Sequence, residues 1–230
     1  VSKFQPHFPG YPVFCFISIL LYNITGSLAI SFSIIGGIST FGIIFYSLKI
    51  LDIELESKSA IFFNLLIFFN PLIWILSNRY MPDLMGISVA IASIYLISFS
   101  NNRLENYLGF ILAGILLGVR LSYFPLIIIP ILIALLKRKN IVPLLSSFTI
   151  GILLWLIPFI LTQGFDSLIN VGLKHSFGHF NDFGGTIFTE SDYFLRLKFL
   201  IQTIWADGLG GYWFDRSWVT IIISFMMLYL

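Results

Sequence analysis

From Phe4 to Leu48 the chain carries no formally charged residue, an unbroken run of 45 positions. A soluble bundle cannot absorb such a run, because each surface helix must show water a polar face. A bilayer can. About 20 apolar residues cross its ~30 Å hydrocarbon core as a helix, with every backbone bond satisfied internally. The remaining sequence is of the same kind. Only 13 basic and 11 acidic side chains punctuate 230 residues, and 58% of positions are hydrophobic. That supply of charge cannot coat a water-soluble globule, and the same apolar content excludes disorder. The single cysteine, Cys15, excludes a disulfide framework or a cysteine-rich metal cluster. A net charge of +2 gives no nucleic-acid surface. The expected class is an all-α, polytopic integral membrane protein.

Charges and helix breakers then divide the chain. Asn23-Ile24-Thr25-Gly26 is expected to interrupt the first apolar run. The 11 residues from Pro12 to Tyr22 are too few to span, which predicts a helix lying in the interface. Spans are expected over 25–51, 59–78, 84–100 and 141–163, and from 217 onward. The 30 residues Tyr107–Leu136 hold one charge, Arg120, and as a single helix would reach ~45 Å. Orientation resolves this stretch. Lys137-Arg138-Lys139 is the densest basic cluster, so the positive-inside rule puts it in the cytoplasm with the 52–58 and 101–106 loops. A connection that begins and ends inside needs an even number of crossings. Residues 107–136 are therefore expected to form two short spans, with Arg120 near the outer tip of the hairpin.

Seven spans result, plus interfacial helices, in what reads as part of a single transmembrane domain over 1–230. Residues 1–24 are its outer loop and interfacial helix, and 25–163 its membrane core. Residues 164–216 are an outer loop with an interfacial helix around Phe194–Trp205, and 217–230 a span cut short. The chain opens on Val1 and stops inside an apolar run, which is expected of a fragment.

On this topology the ionisable residues gather on the outer face. Asp83 follows Met81-Pro82 at the start of a span, with Arg79 four positions earlier. Ionisable groups at membrane depth are costly and mark function, although an aspartate at a helix start also serves as a cap. Arg120 interrupts an otherwise apolar hairpin. Its planar fork suits a phosphate, and snorkelling to headgroups is the plainer use. His175 and His179, spaced i and i+4 with Asp182 beyond, are candidate metal ligands. Gly178, Gly184 and Gly185 argue against a stable helix there, which favours a water-facing loop. His7 and Tyr11 sit in a stretch dense in Pro and aromatics, Phe4-Gln5-Pro6-His7-Phe8-Pro9-Gly10-Tyr11-Pro12, placed to hold a headgroup or to form a rigid entry turn.

The order of these elements resembles the polytopic GT-C glycosyltransferases. The nearest are the dolichyl-phosphate-mannose protein mannosyltransferases and the lipid A aminoarabinose transferases. The resemblance is carried by Pro6–Pro12, the short helix and long span after it, Arg79-Tyr80-Met81-Pro82-Asp83, and Gly114–Ser122 followed by Pro125 and Pro130. It covers roughly Gln5 to Lys139. It implies transfer of a sugar from a polyprenyl-phosphate donor to a lipid, glycan or protein acceptor on the extracytoplasmic face. Asp83 then matches a functionally important aspartate, the catalytic candidate in a supporting role, and Arg120 faces the lipid phosphate. Arg79 joins it, and His7 and Tyr11 line the cavity mouth. The family's general base usually lies in the first outer loop, which here would precede Val1, and its hairpin cation is often Lys where this chain has Arg. A divalent metal ion is the one candidate cofactor. A prokaryotic plasma membrane is the expected location. A secondary transporter and a non-catalytic membrane subunit are the competing classes. Transporters set charges at the midplane in repeated broken helices, and no second copy of the 25–100 pattern occurs.

Overall fold

The computed structural model describes residues 10–138, 140–178, 181 and 192–229. Among them all regular structure is helical, with no strand. Two helices, Leu28–Ile50 and Val142–Gln163, are long and apolar enough to cross a bilayer. The chain divides into two compact units, Val1–Gly172 and Leu173–Leu230.

In the first unit, α1 (Pro12–Thr25) opens on a proline at N1, where the missing N–H would have had no partner. The expected break at Asn23-Ile24-Thr25-Gly26 falls at its last residue, Gly26, whose φ of 66° only glycine adopts freely, so the helix runs three residues beyond Tyr22. Ser27 accepts from the Ile30 N–H and starts α2 (Leu28–Ile50). The expected single helix over 59–78 is two, α3 (Lys58–Phe68) and α4 (Pro71–Ser77). Pro71 can donate no backbone bond and clashes with the preceding turn. Asn70 then restarts the helix by accepting from Leu72 N at 2.9 Å and Ile73 N at 3.4 Å. α4 lies close on α2, since a Cβ at Gly36 would overlap the Ser77 carbonyl.

α5 (Asp83–Ser98) and α6 (Arg103–Val119) run antiparallel, tied by Ser93 Oγ donating to Gly109 O at 3.0 Å. Asn102 caps α6, so Arg103–Asn106 form its first turn rather than a loop. One 3₁₀ turn, Leu121–Tyr123, leads into α7 (Phe124–Lys137). The chain has doubled back, because Arg138 after α7 donates to Asn106 in the first turn of α6. Asn106 is buried, and its amide donates to Leu96 O at 2.8 Å and Ser100 O at 2.9 Å. α8 (Val142–Gln163) packs on α6 at backbone contact: a Cβ on Gly114 or Gly151 would overlap the other helix's carbonyls. Trp155 Nε1 donates to Gly114 O at 3.1 Å across that seam. Small residues let helices approach this way where no hydrophobic force drives them together.

Polar side chains are found inside the bundle and large aliphatic ones outside it. Ser31, Ser93 and Asn106 are buried, whereas Ile24, Leu136 and Leu161 are over 80% exposed at 81%, 86% and 81%. The cluster around Phe110, Leu116 and Ile127 nonetheless gives the bundle an apolar centre. α9 (Phe165–Phe177) occupies residues expected as an outer loop. Its helix includes Gly172 and runs on into a π-helical turn at Gly178, so neither glycine stops it.

The second unit holds α10 (Tyr193–Gln202), a π-helical turn (Thr203–Gly208) and α11 (Val219–Tyr229). Asp192 caps α10 by accepting from Phe194 N and Leu195 N. The expected interfacial helix around Phe194–Trp205 thus begins one residue earlier and changes pitch at Thr203.

Candidate functional site

The start of α5, the tip of the α6–α7 hairpin and the start of α1 meet at one end of a cavity of 810 Å³. Asp83 is the first helical residue of α5, yet it makes no capping bond. Its side chain turns away to Arg120, whose Nη2 stands 3.2 Å from Oδ1. The tip holds the guanidinium there, because Arg120 is an extended residue (φ −156°, ψ 95°) between α6 and the 3₁₀ turn. Tyr123, one turn on, donates its hydroxyl to the same Asp83 Oδ1 at 3.0 Å. Gly86 makes room: a Cβ there would lie 2.7 Å from the Tyr123 ring and 3.0 Å from Arg120 Cβ.

Tyr11 completes the cluster. Its hydroxyl accepts from Arg120 Nη1 at 2.6 Å, and its ring centre lies 5.1 Å from the guanidinium carbon. The Tyr123 ring centre lies 5.8 Å from that carbon. Both are within cation–π range. Tyr11 is also one of three described non-glycine residues with positive φ, at φ 51° and ψ 52°. An aromatic held in this left-handed region costs about 1–2 kcal/mol, and its bond to Arg120 is the visible compensation. The rest of the wall is mainly apolar, with Phe14, Ile19, Phe32, Leu72, Leu76 and Ile87, and it also carries Cys15 and Ser18.

No family model, curated protein or solved structure matches this chain. The functional reading therefore rests on the site's chemistry.

The side chains of Arg120 and Asp83 are 26% and 18% exposed, so the pair is only partly screened by water. Together they are neutral, and Arg120 brings no net positive charge to the cavity end. Asp83 Oδ2 has no partner among the described residues. The buried atoms in that condition are Asn64 Oδ1 and Arg120 Nε, so Oδ2 is within reach of solvent. That leaves one carboxylate oxygen free to accept a hydrogen bond. A hard divalent cation such as Mg²⁺ keeps several waters and takes one or two carboxylates plus substrate phosphates. The cavity offers one carboxylate, Asp83, and it is already paired with Arg120. Among the described residues no group of three or more potential metal ligands comes together.

Of the residues singled out from sequence, Asp83, Arg120 and Tyr11 are brought together. Arg79 is exposed, borders no part of the cavity wall, and makes no ion pair among the described residues. It stands in the linker between α4 and α5, whose Tyr80, Met81 and Pro82 do line the cavity. His7, His179 and Asp182 lie outside the described residues, as does the side chain of His175. Tyr123 and Gly86 escaped the sequence reading. The available signal was small: an aromatic with an OH three positions after Arg120, and a glycine three after Asp83.

Proposed function

We propose that this chain is the membrane part of a glycosyltransferase that moves a sugar from a polyprenyl-phosphate carrier to an acceptor on the extracytoplasmic face. In this reading α2, α3 with α4, α5, α6, α7, α8 and α11 are seven crossings of a prokaryotic plasma membrane. The observation that carries it is the Asp83–Arg120 pair in the wall of a cavity whose remaining lining is mainly apolar. A carrier with a polar head and a long prenyl tail matches that division of polarity. The inverted placement of Ser, Asn and large aliphatic side chains supports a lipid environment for α2 to α8.

Sugar transfer requires a carboxylate near the acceptor hydroxyl and donors near the departing phosphate. Asp83 offers its open Oδ2 to a hydroxyl of the carrier-linked sugar, a supporting role beside the base that takes the acceptor's proton. Arg120 retains N–H groups beyond those directed at Tyr11 and Asp83. Because the pair is neutral, Arg120 acts as an aligned donor to the phosphate more than as a net charge. The test uses the full-length protein in native membranes with a radiolabelled polyprenyl-phosphate hexose. Asp83→Asn and Arg120→Ala are each expected to lower transfer by about 10²-fold or more, with membrane insertion unchanged. Full activity in both variants rules the reading out.

A further inference from the structure

Tyr123 is the one member of the cluster whose hydroxyl acts on Asp83 rather than on Arg120. Asp83 Oδ1 lies between two donors, the Tyr123 hydroxyl at 3.0 Å and Arg120 Nη2 at 3.2 Å. A guanidinium facing a free carboxylate tends to take both oxygens in a fork. Here that fork is not made: Arg120 Nη2 stands 3.2 Å from Oδ1 as an ion pair, and the phenol supplies the hydrogen bond to that same oxygen. The Tyr123 ring is fixed in turn by the gap at Gly86 and by its contact with the guanidinium. Tyr123 also lines the cavity wall beside Asp83.

We infer that Tyr123 is a positioning residue: it holds the Asp83 carboxylate in one-oxygen pairing, so that Oδ2 accepts a hydroxyl of the carrier-linked sugar. The inference rests on the transferase reading and adds to it a division of labour. The hydroxyl-bearing head group is read by Asp83 through Tyr123, and the phosphate is not. Without the phenol oxygen the carboxylate can rotate and both its oxygens pair with Arg120. The acceptor presented to the ligand is then lost, while the apolar walls and Arg120 remain.

Binding of two lipids separates the possibilities, with full-length protein in phospholipid nanodiscs titrated by calorimetry. One lipid is a polyprenyl phosphate and the other is the same lipid carrying a hexose. Tyr123→Phe is expected to weaken the hexosyl lipid about tenfold, the scale of one hydrogen bond to a charged group, and to leave the bare lipid within about twofold. Asp83→Asn is expected to lose a similar factor for the hexosyl lipid. The double variant should lose no more than Asp83→Asn alone, since Tyr123 acts through that carboxylate. Independent, multiplying losses overturn the inference, as does an equal loss for both lipids or no loss at all. Wild-type protein that binds both lipids equally also overturns it and leaves the carrier reading standing. Wild-type protein that binds neither overturns the carrier reading itself.

Discussion

Among the described residues each unit shows an Arg–Asp ion pair, and the two pairs are built differently. Asp83 opens α5 and Arg120 follows α6, 37 positions on; their side chains are 18% and 26% exposed and lie beside two tyrosines and a cavity. Asp207, in the π-helical turn, and Arg216, before α11, are nine positions apart and 44% and 46% exposed. Near the second pair, Trp205, Tyr212 and Phe225 border a smaller pocket of 340 Å³. Its polar atoms are already engaged, with Trp205 Nε1 donating to Tyr212 O and Tyr212 N donating to Ser224 Oγ. The difference is one of what remains available. In the first unit a partly dry pair leaves a carboxylate oxygen open beside a cavity. In the second, a wet pair and a closed set of bonds fold a loop onto itself.

Substitutions can break or sharpen this contrast. The largest effect is expected from Arg120→Ala, which strands Asp83 in a partly dry site. Loss of stability should be about 2 kcal/mol, below the ~3–5 kcal/mol of fully buried pairs because water reaches both groups. Thermal unfolding of the full-length protein in detergent measures it, and a change under ~0.5 kcal/mol would put this pair in the same class as the second. Gly86→Ala should come next. The added methyl meets the Tyr123 ring and Arg120 Cβ, so about 1–2 kcal/mol of overpacking strain is expected, with transfer activity falling alongside. An active, equally stable Gly86→Ala variant would show that the cluster has slack. Arg216→Ala should do least, within about 0.5 kcal/mol, and raising salt should shrink even that through screening. A loss as large as that of Arg120→Ala would overturn the distinction between the units.

Much of the helix order was legible because long apolar runs impose a coarse rule. Long uncharged runs must be helices, and charges or Asn, Gly and Pro mark where they stop. The break at Arg120 followed from length and orientation alone. Other boundaries were not legible, and the causes are local. Asn70-Pro71 divides 59–78 because proline removes a bond and asparagine supplies a cap, a signal masked by the apolar residues on both sides. Within the breaker Asn23-Ile24-Thr25-Gly26 only Gly26 ends the helix, because the side chains of Asn23–Thr25 do not prevent one. Arg103–Asn106 looked like a loop because of its charges, while Asn102 makes it a capped first turn.

The candidate site divides along similar lines. Asp83 and Arg120 stood out because charge is scarce in this chain, so each charged residue in an apolar stretch is conspicuous. Tyr123 did not, because it is one tyrosine of 10 in a chain with 25 phenylalanines. Composition and spacing suffice for an all-helical, lipid-suited chain, since both depend only on how many apolar residues stand between polar ones. Which groups meet is another matter. Asp83 could have capped its own helix, and Arg120 could have reached a headgroup. Close packing of three helix ends, with Gly86 leaving the space, sends the carboxylate to the guanidinium and leaves its second oxygen open. Distances of a few ångströms between residues 109 positions apart, such as Tyr11 and Arg120, arise only once the backbone is folded.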